Sequence, residues 1–292
     1  MSKNIDIANP TRTQAILNQY GLHAKKKFGQ NFLTDVNVLH DIVDIADITS
    51  EDYVIEIGPG IGALTEQLAR KAKKVLAFEI DEQMVKVLDD TLAQYDNVRV
   101  IHQDILKVNL PEMISQEFEP EALVKIVANL PYYITTPILT QLLHADFKWQ
   151  NIVVMMQKEV ADRLNAEIGT KAYGVLTLTI QYFAQAQLAR KVSANAFNPA
   201  PNVDSAVVKL VPVKPVVEVD NVDKLFTLIK QSFAHRRKSL WNNLVQAYGK
   251  DDRTKTNIQS ALLKAEIDPG IRAEKLSLAE LSHLYIALHA NK

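Results

Sequence analysis

Between about residues 38 and 160, short apolar runs alternate with segments whose apolar positions recur every three or four residues. The runs "YVIEIG", "KVLAFEI", "VRVIHQDI", "VKIVANLPY" and "IVVMMQK" have the length and character of strands. Between the first two lies "GALTEQLARKA", where Leu64, Leu68 and Ala72 share one helical face. "DEQMVKVLDDTLAQY" repeats that spacing with Met84, Leu88 and Leu92. Continuous apolar strands joined by amphipathic helices predict βαβ units around a mostly parallel sheet. Two more strands, "AQLARKV" and "SAVVKLVP", flank the Pro-containing loop "SANAFNPAPNVD". With them the sheet reaches seven strands.

The pattern changes after "VPVKPVVEV", whose prolines mark a linker near 212–220. Only helical periods follow: "VDKLFTLIKQSFAH", "RKSLWNNLVQAY", "TNIQSALLKAEI" and "SLAELSHLYIALHA". The expected division is an N-terminal arm over 1–37, an α/β domain over 38–215 and a small all-helical domain over 216–292.

Composition narrows the function classes. A chain of 292 residues has room for one large and one smaller core. It has no cysteine, which excludes disulfides and thiolate metal sites. His40, His102, His144 and His235 lack metal-ligand spacing, so no metal is expected. The first thirty or so residues lack the apolar core of a signal peptide, and no run is long enough to span a bilayer. A cytoplasmic protein with no membrane partner is the expectation, with a monomer as the default. The formal net charge of −1 decides nothing about nucleic acid, because a local basic patch outweighs the sum.

Candidate chemistry collects at the carboxyl ends of the first four strands. The first strand ends in "EIGPGIG", where Gly58, Gly60 and Gly62 allow close backbone approach to a ligand. The spacing G-x-G-x-G differs from the dinucleotide pattern G-x-G-x-x-G. The second strand ends in Glu79, a carboxylate able to accept both hydroxyls of a ribose. The third ends in "HQDI", placing Asp104 where it can take an adenine amino proton. Each acid alone is also compatible with a solvated strand end. Together they describe a nucleoside site that needs no pyrophosphate, and S-adenosyl-L-methionine fits it better than NAD.

The fourth strand ends in "NLPYYITTP". Asn129 offers a side-chain carbonyl, Leu130 a backbone carbonyl beside it, and Pro131 a fixed bend that turns both inward. Tyr132 adds a ring face for a flat partner. An adenine amino nitrogen is a poor nucleophile because its lone pair is delocalised into the ring. Two acceptors holding its hydrogens favour a pyramidal nitrogen with the lone pair aimed at a methyl donor. No strong base is needed, so catalysis rests on positioning and electrostatics. The plainer alternative is an Asn-initiated turn packing two aromatics. Tyr133 is expected to pack inward.

With "NLPY" following "EIGPGIG", the chain resembles N6-adenine methyltransferases, and specifically the ribosomal RNA adenine dimethyltransferase family in its small-subunit form. The matching segments are "KKKFGQNFL", "EIGPGIGALT", "FEID", "QDIL", "NLPYYITTPIL", "FNPAPNVDSAVV" and "FAHRRKSLWNNL", spread over roughly residues 25–245. The resemblance implies a class I S-adenosylmethionine-dependent, Rossmann-like methyltransferase domain whose N-terminal arm helps cover the cofactor. It also implies transfer of four methyl groups to N6 of two adjacent adenosines. These lie in the hairpin loop near the 3′ end of 16S ribosomal RNA, on an immature small subunit. Carried over by position, Asn31, Leu33, Gly58, Glu79, Asp104 and Asn129 contact the donor, with Gly60 in the same loop. Gln30 and Phe32 are expected to shape the mouth.

The expected RNA contacts are Tyr132 and Phe197, as stacking faces for a base taken out of its stack. Phe197 also fits a rigid crossover with its ring in the core. Two basic clusters, Lys25, Lys26, Lys27 and Arg236, Arg237, Lys238, are candidates for phosphate contact, or else solvated faces. Trp241 is expected in the helical core. Three other functions fit parts of the pattern: a macrolide-resistance methyltransferase of 23S ribosomal RNA, an assembly factor acting by binding, and, more remotely, a nicotinamide dehydrogenase. "NLPY" counts against a DNA adenine methyltransferase, which carries an acidic first residue or a second proline.

Overall fold

The computed structural model describes residues 5–22 and 31–289. Lys25, Lys26, Lys27 and Gln30 therefore lie outside the described residues. The described chain forms two compact units, one from residues within 1–161 and 186–212, the other from 162–185 and 213–292.

Nine strands belong to the first unit, β7 starting two residues before it: β1 (Phe32–Leu33), β2 (Tyr53–Ile57), β3 (Lys74–Glu79), β4 (Val98–His102), β5 (Val124–Asn129), β6 (Trp149–Gln157), β7 (Ala184–Val192), β8 (Phe197–Asn198) and β9 (Ser205–Pro212). Seven of them form one sheet in the order β4-β3-β2-β5-β6-β9-β7. Neighbours from β4 to β6 run parallel, and β9 is antiparallel to β6. Every residue of β2 is buried, as a central strand covered on both faces requires. Val54, Val75, Val127 and Val153 share a core with Leu39 and Ile42 of helix Val36–Ile45 and Leu64 and Leu68 of helix Ala63–Ala69. Ile55, Leu76 and Ile126, one step on in the alternation, are equally buried on the other face.

Two features of this unit carry no periodic signal in the sequence. The pair β1–β8 is antiparallel, with Phe32 opposite Asn198 and Leu33 opposite Phe197. Thr34 N donates to Ala196 O at 2.9 Å and extends that join. The helix Pro10–Gln19 is fixed by a fully buried acid: Glu66 Oε2 accepts Ile7 N at 2.7 Å, while Arg12 and Arg70 approach Oε1 at 3.5 and 3.3 Å.

The second unit is helical. Val222–Ser232, Leu240–Tyr248, Asp252–Lys264 and Leu278–His289 enclose a core of Leu225, Ile229, Leu244, Leu262, Leu281 and Tyr285. Unlike the expected boundary at 215/216, this unit also takes in Asp162–Gln185. The reason is aromatic packing: Tyr182 meets Phe226 edge-on at 5.5 Å, and Phe183 stacks on it at 5.8 Å. Trp241 packs partly buried against the same core, as expected.

Candidate active site

The glycine loop owes its path to left-handed backbone. Gly58, Gly60 and Gly62 have φ of 70°, 59° and 92°, a region costly for residues with a Cβ. Gly62 N returns to Pro59 O at 2.9 Å, which closes the turn and starts helix Ala63–Ala69. A Cβ on Gly62 would sit 3.2 Å from Leu88 and Leu92, so the loop is also tight against helix Glu82–Thr91.

Glu79, 6 % exposed at the end of β3, ties this loop to the next strand. Its Oε2 accepts Gly60 N at 3.2 Å, and its Oε1 accepts Ile80 N and Asp81 N, both at 2.8 Å. Burial raises its proton affinity above the ordinary carboxyl value, the three N–H donors oppose that, and Asp81 adds to it. Asp104 follows β4 half-buried, with Oδ1 accepting Leu106 N at 3.0 Å.

After β5 the chain turns at Leu130, whose N–H donates to Met155 O at 3.0 Å. Pro131 O then accepts Ile134 N at 3.2 Å and the Thr135 hydroxyl at 3.0 Å, fixing the bend. The Asn129 side chain, half-exposed on one cavity with Glu79 and Asp104, makes no hydrogen bond to any described residue. The turn holds this side chain at the cavity wall. Tyr132 is half-buried with its hydroxyl 2.7 Å from Ser205 Oγ, so its ring is fixed from behind. Burial raises the Tyr132 phenol, and the Ser205 bond works against that rise.

One cavity in the first unit is lined by Asn31, Leu33, Gly58, Gly60, Glu79, Asp104, Asn129, Leu130, Pro131, Tyr132 and Phe197. Every residue proposed for donor or catalysis from the sequence therefore meets in one place. Phe32 joins them, its ring 3.8 Å from where a Cβ on Gly60 would stand.

Two aromatic expectations change. Tyr133 does not pack inward: it is 53 % exposed at the cavity wall, close enough to Asp104 and Glu79 that their carboxylates add to the burial that raises its phenol. Consecutive residues of a tight turn point different ways, and Ser205 claims Tyr132 instead. Phe197 is 5 % exposed, because β8 pairs with β1 and draws the ring into the core, so only part of it reaches the cavity.

Within the second unit the basic cluster divides. The Arg236 guanidinium donates to Lys171 O at 2.8 Å, Tyr173 O at 3.3 Å and Glu274 Oε2 at 3.1 Å. These bonds give Arg236 a structural role, while its side chain stays 43 % exposed. Arg237 is exposed, and Lys238 is exposed with Nζ 2.9 Å from Gln246 Oε1. No group of three or more His, Asp or Glu among the described residues has metal-binding geometry, and none of their helices is long and apolar enough to cross a membrane.

The donor set suits a nucleoside followed by a short cationic chain. Acids follow the adjacent strands β3 and β4, the glycine loop follows β2 on the other side of β3, and the buried Glu56 Oε2 on the cavity wall has no hydrogen-bond partner among the described residues. Fold and site together define a class I S-adenosylmethionine-dependent methyltransferase. The sequence profile of the family described as "Ribosomal RNA adenine dimethylase" matches residues 21–288, and the chain belongs to that family. It is 72 % identical over 99 % of its length to "Ribosomal RNA small subunit methyltransferase A" of Leuconostoc mesenteroides, covering 98 % of that protein. It is 59 % identical, with the same coverage, to the protein of that name from Lactiplantibacillus plantarum. Among solved structures it is similar to a dimethyladenosine transferase from Plasmodium falciparum (TM-score 0.69, 27 % identity, 87 % of this chain and 95 % of that one). It is also similar to the 23S rRNA methyltransferase ErmE (TM-score 0.63, 25 % identity, 88 % and 99 %).

Proposed function

We propose that this protein dimethylates N6 of two adjacent adenosines in the 3′-terminal hairpin loop of 16S ribosomal RNA, using S-adenosyl-L-methionine, on the immature small subunit. The observation that carries this is the unengaged Asn129 acceptor, set on the same cavity as Glu79, Asp104 and the Tyr132 ring. The names of the relatives support the small subunit as substrate, and "FNPAPNVDSAVV" and "RRKSLWNNL" support it over the large-subunit type.

When bound, the donor supplies an electrophilic methyl group on a sulfonium sulfur. Glu79 takes the ribose hydroxyls, Asp104 the adenine amino group, and Asn31, Leu33 and the Gly58–Gly60 backbone close around the rest. On the acceptor side, Asn129 Oδ1 and the Leu130 carbonyl accept the two N–H hydrogens of the target amino group, directing the lone pair at the methyl. Tyr132 stacks on the base and repays part of its unstacking, of order 1–3 kcal/mol per aromatic face, while the exposed edge of Phe197 limits its slide. The nitrogen gains the methyl and loses one proton to water, so no buried base is needed. Arg237 and Lys238, with Lys25 to Lys27, supply phosphate contacts.

Small subunits lacking the modification, large subunits and duplex DNA, offered side by side with labelled donor, test the proposal. Transfer to small subunits alone is expected. Label in large subunits would favour the resistance-type activity, and binding without transfer an assembly factor.

A further inference from the structure

Tyr133 takes no part in the reaction as described, yet it stands on the wall of the cavity with its ring open. Phe32, Leu33 and Phe197 on the same wall are buried in the core, whereas Tyr133 is 53 % exposed. Its hydroxyl makes no hydrogen bond to any described residue. A single exposed aromatic on a convex surface needs no explanation. One kept open on a concave wall beside convergent polar groups is a place for the apolar face of a ligand.

The turn and the strand order say which half of the cavity it serves. Ile134 N donates to Pro131 O at 3.2 Å, so Tyr132 and Tyr133 are the two central residues of one turn and their side chains diverge. Tyr132 is tied to Ser205 at 2.7 Å, at the start of β9. In the sheet order β4-β3-β2-β5-β6-β9-β7, that lies to one side of β5. Tyr133 turns to the other side, where its phenol lies near enough to feel the charges of Asp104 after β4 and Glu79 at the end of β3. The two tyrosines divide the cavity: Tyr132 faces the half given to the target base, and Tyr133 the half given to the donor's nucleoside.

We infer that Tyr133 is the outer wall of the donor's nucleoside, its ring lying against the adenine and ribose that Asp104 and Glu79 hold from the sheet edge. The ring retains and orients the donor, and no bond or proton of the methyl transfer passes through it. This rests on the donor assignment made above.

The test is calorimetric titration of S-adenosyl-L-methionine, S-adenosyl-L-homocysteine and 5′-methylthioadenosine into the full-length wild type, Tyr133→Phe and Tyr133→Ala. No internal hydrogen bond is lost with this half-exposed side chain, so both variants should melt as the wild type does. The three ligands share the nucleoside, so Tyr133→Ala should weaken all of them alike. The expected loss is about tenfold, within the range for removing one aromatic face from a base. Tyr133→Phe keeps the face and should bind as the wild type does. In methyl transfer to small subunits, Tyr133→Ala should raise the donor KM by the same factor and leave the single-turnover rate at saturating donor unchanged. A general distortion of the site would lower that rate as well. Undiminished affinity of Tyr133→Ala for the three ligands would overturn the donor wall, and a loss confined to subunit binding would assign the ring to RNA instead. An equal loss in Tyr133→Phe would overturn the ring as the contact. No binding of any of the three to the wild type would overturn the donor assignment itself.

Discussion

Replacing Asn129 by Ala removes one of the two acceptors proposed to hold the target amino group, and the structure limits what else it removes. The side chain makes no hydrogen bond to a described residue, it is half-exposed, and the bend after it is fixed by Pro131 O with Ile134 N and Thr135. No buried partner is orphaned and no large cavity opens, so stability should change by no more than about 1 kcal/mol. The chemical step should change far more. Loss of one preorganised group facing the reacting centre costs about 100- to 1000-fold, or roughly 3–4 kcal/mol. Single-turnover methyl transfer, with subunit binding measured separately by sedimentation, distinguishes the two effects. The expected variant binds subunits as the wild type does, melts within a few degrees of it, and transfers at least 100-fold more slowly. A folded variant that transfers at the wild-type rate would refute Asn129 as the amino-group acceptor. A variant that loses subunit binding in proportion would refute its confinement to the chemical step.

Ligand-free Glu56→Gln should be more stable than wild type at pH 7. The folded state holds a proton there that the unfolded chain sheds above about 4.5, so stability contributed below that pH is lost as pH rises toward about 8. At about 1.4 kcal/mol per pH unit the gap reaches about 3 kcal/mol at pH 7 and closes near pH 4.5, and urea unfolding at the two pH values would show an unchanging gap if Glu56 were ionised throughout. Arg237→Ala should leave the melting temperature unchanged and lower the salt slope of subunit binding by about one phosphate contact. Arg236→Ala should lower the melting temperature by several degrees instead; if both variants acted only on the salt slope, the structural role of Arg236 would be wrong. Glu66→Ala leaves Ile7 N and two arginines without their buried acceptor, and should cost about 3 kcal/mol and expose the N-terminal segment to proteolysis, measured by denaturation and limited trypsin digestion.

The positions at the carboxyl ends of β2 to β5 were legible because each belongs to a short motif on a strand that apolar runs already locate. Gly58, Glu79, Asp104 and Asn129 needed only a parallel sheet to bring them to one edge. Long-range pairing was not legible: β1 and β8 are two residues each, too short for any period, yet they join Leu33 to Phe197 and decide for the core between the two places open to that ring. Local direction failed too, since nothing in "PYY" says that Ser205 will take the first tyrosine and leave the second at the cavity wall. Arg236 looked like its neighbour Arg237 because its three carbonyl-rich and acidic partners come from residues 171–173 and 274. Glu56 was hidden inside "EIGPGIG" because a strand acid shows its burial only after both faces of the sheet are covered.

The central claim is that this cavity places an adenosine amino group of the small subunit against a methyl donor. Mass analysis of nucleosides and of nuclease fragments of 16S ribosomal RNA, from small subunits treated with the protein and S-adenosyl-L-methionine, tests it most directly. N6,N6-dimethyladenosine at two adjacent positions near the 3′ end of 16S ribosomal RNA is the predicted result. Methylation at another atom or position, or no methylation of subunits the protein binds, would contradict it.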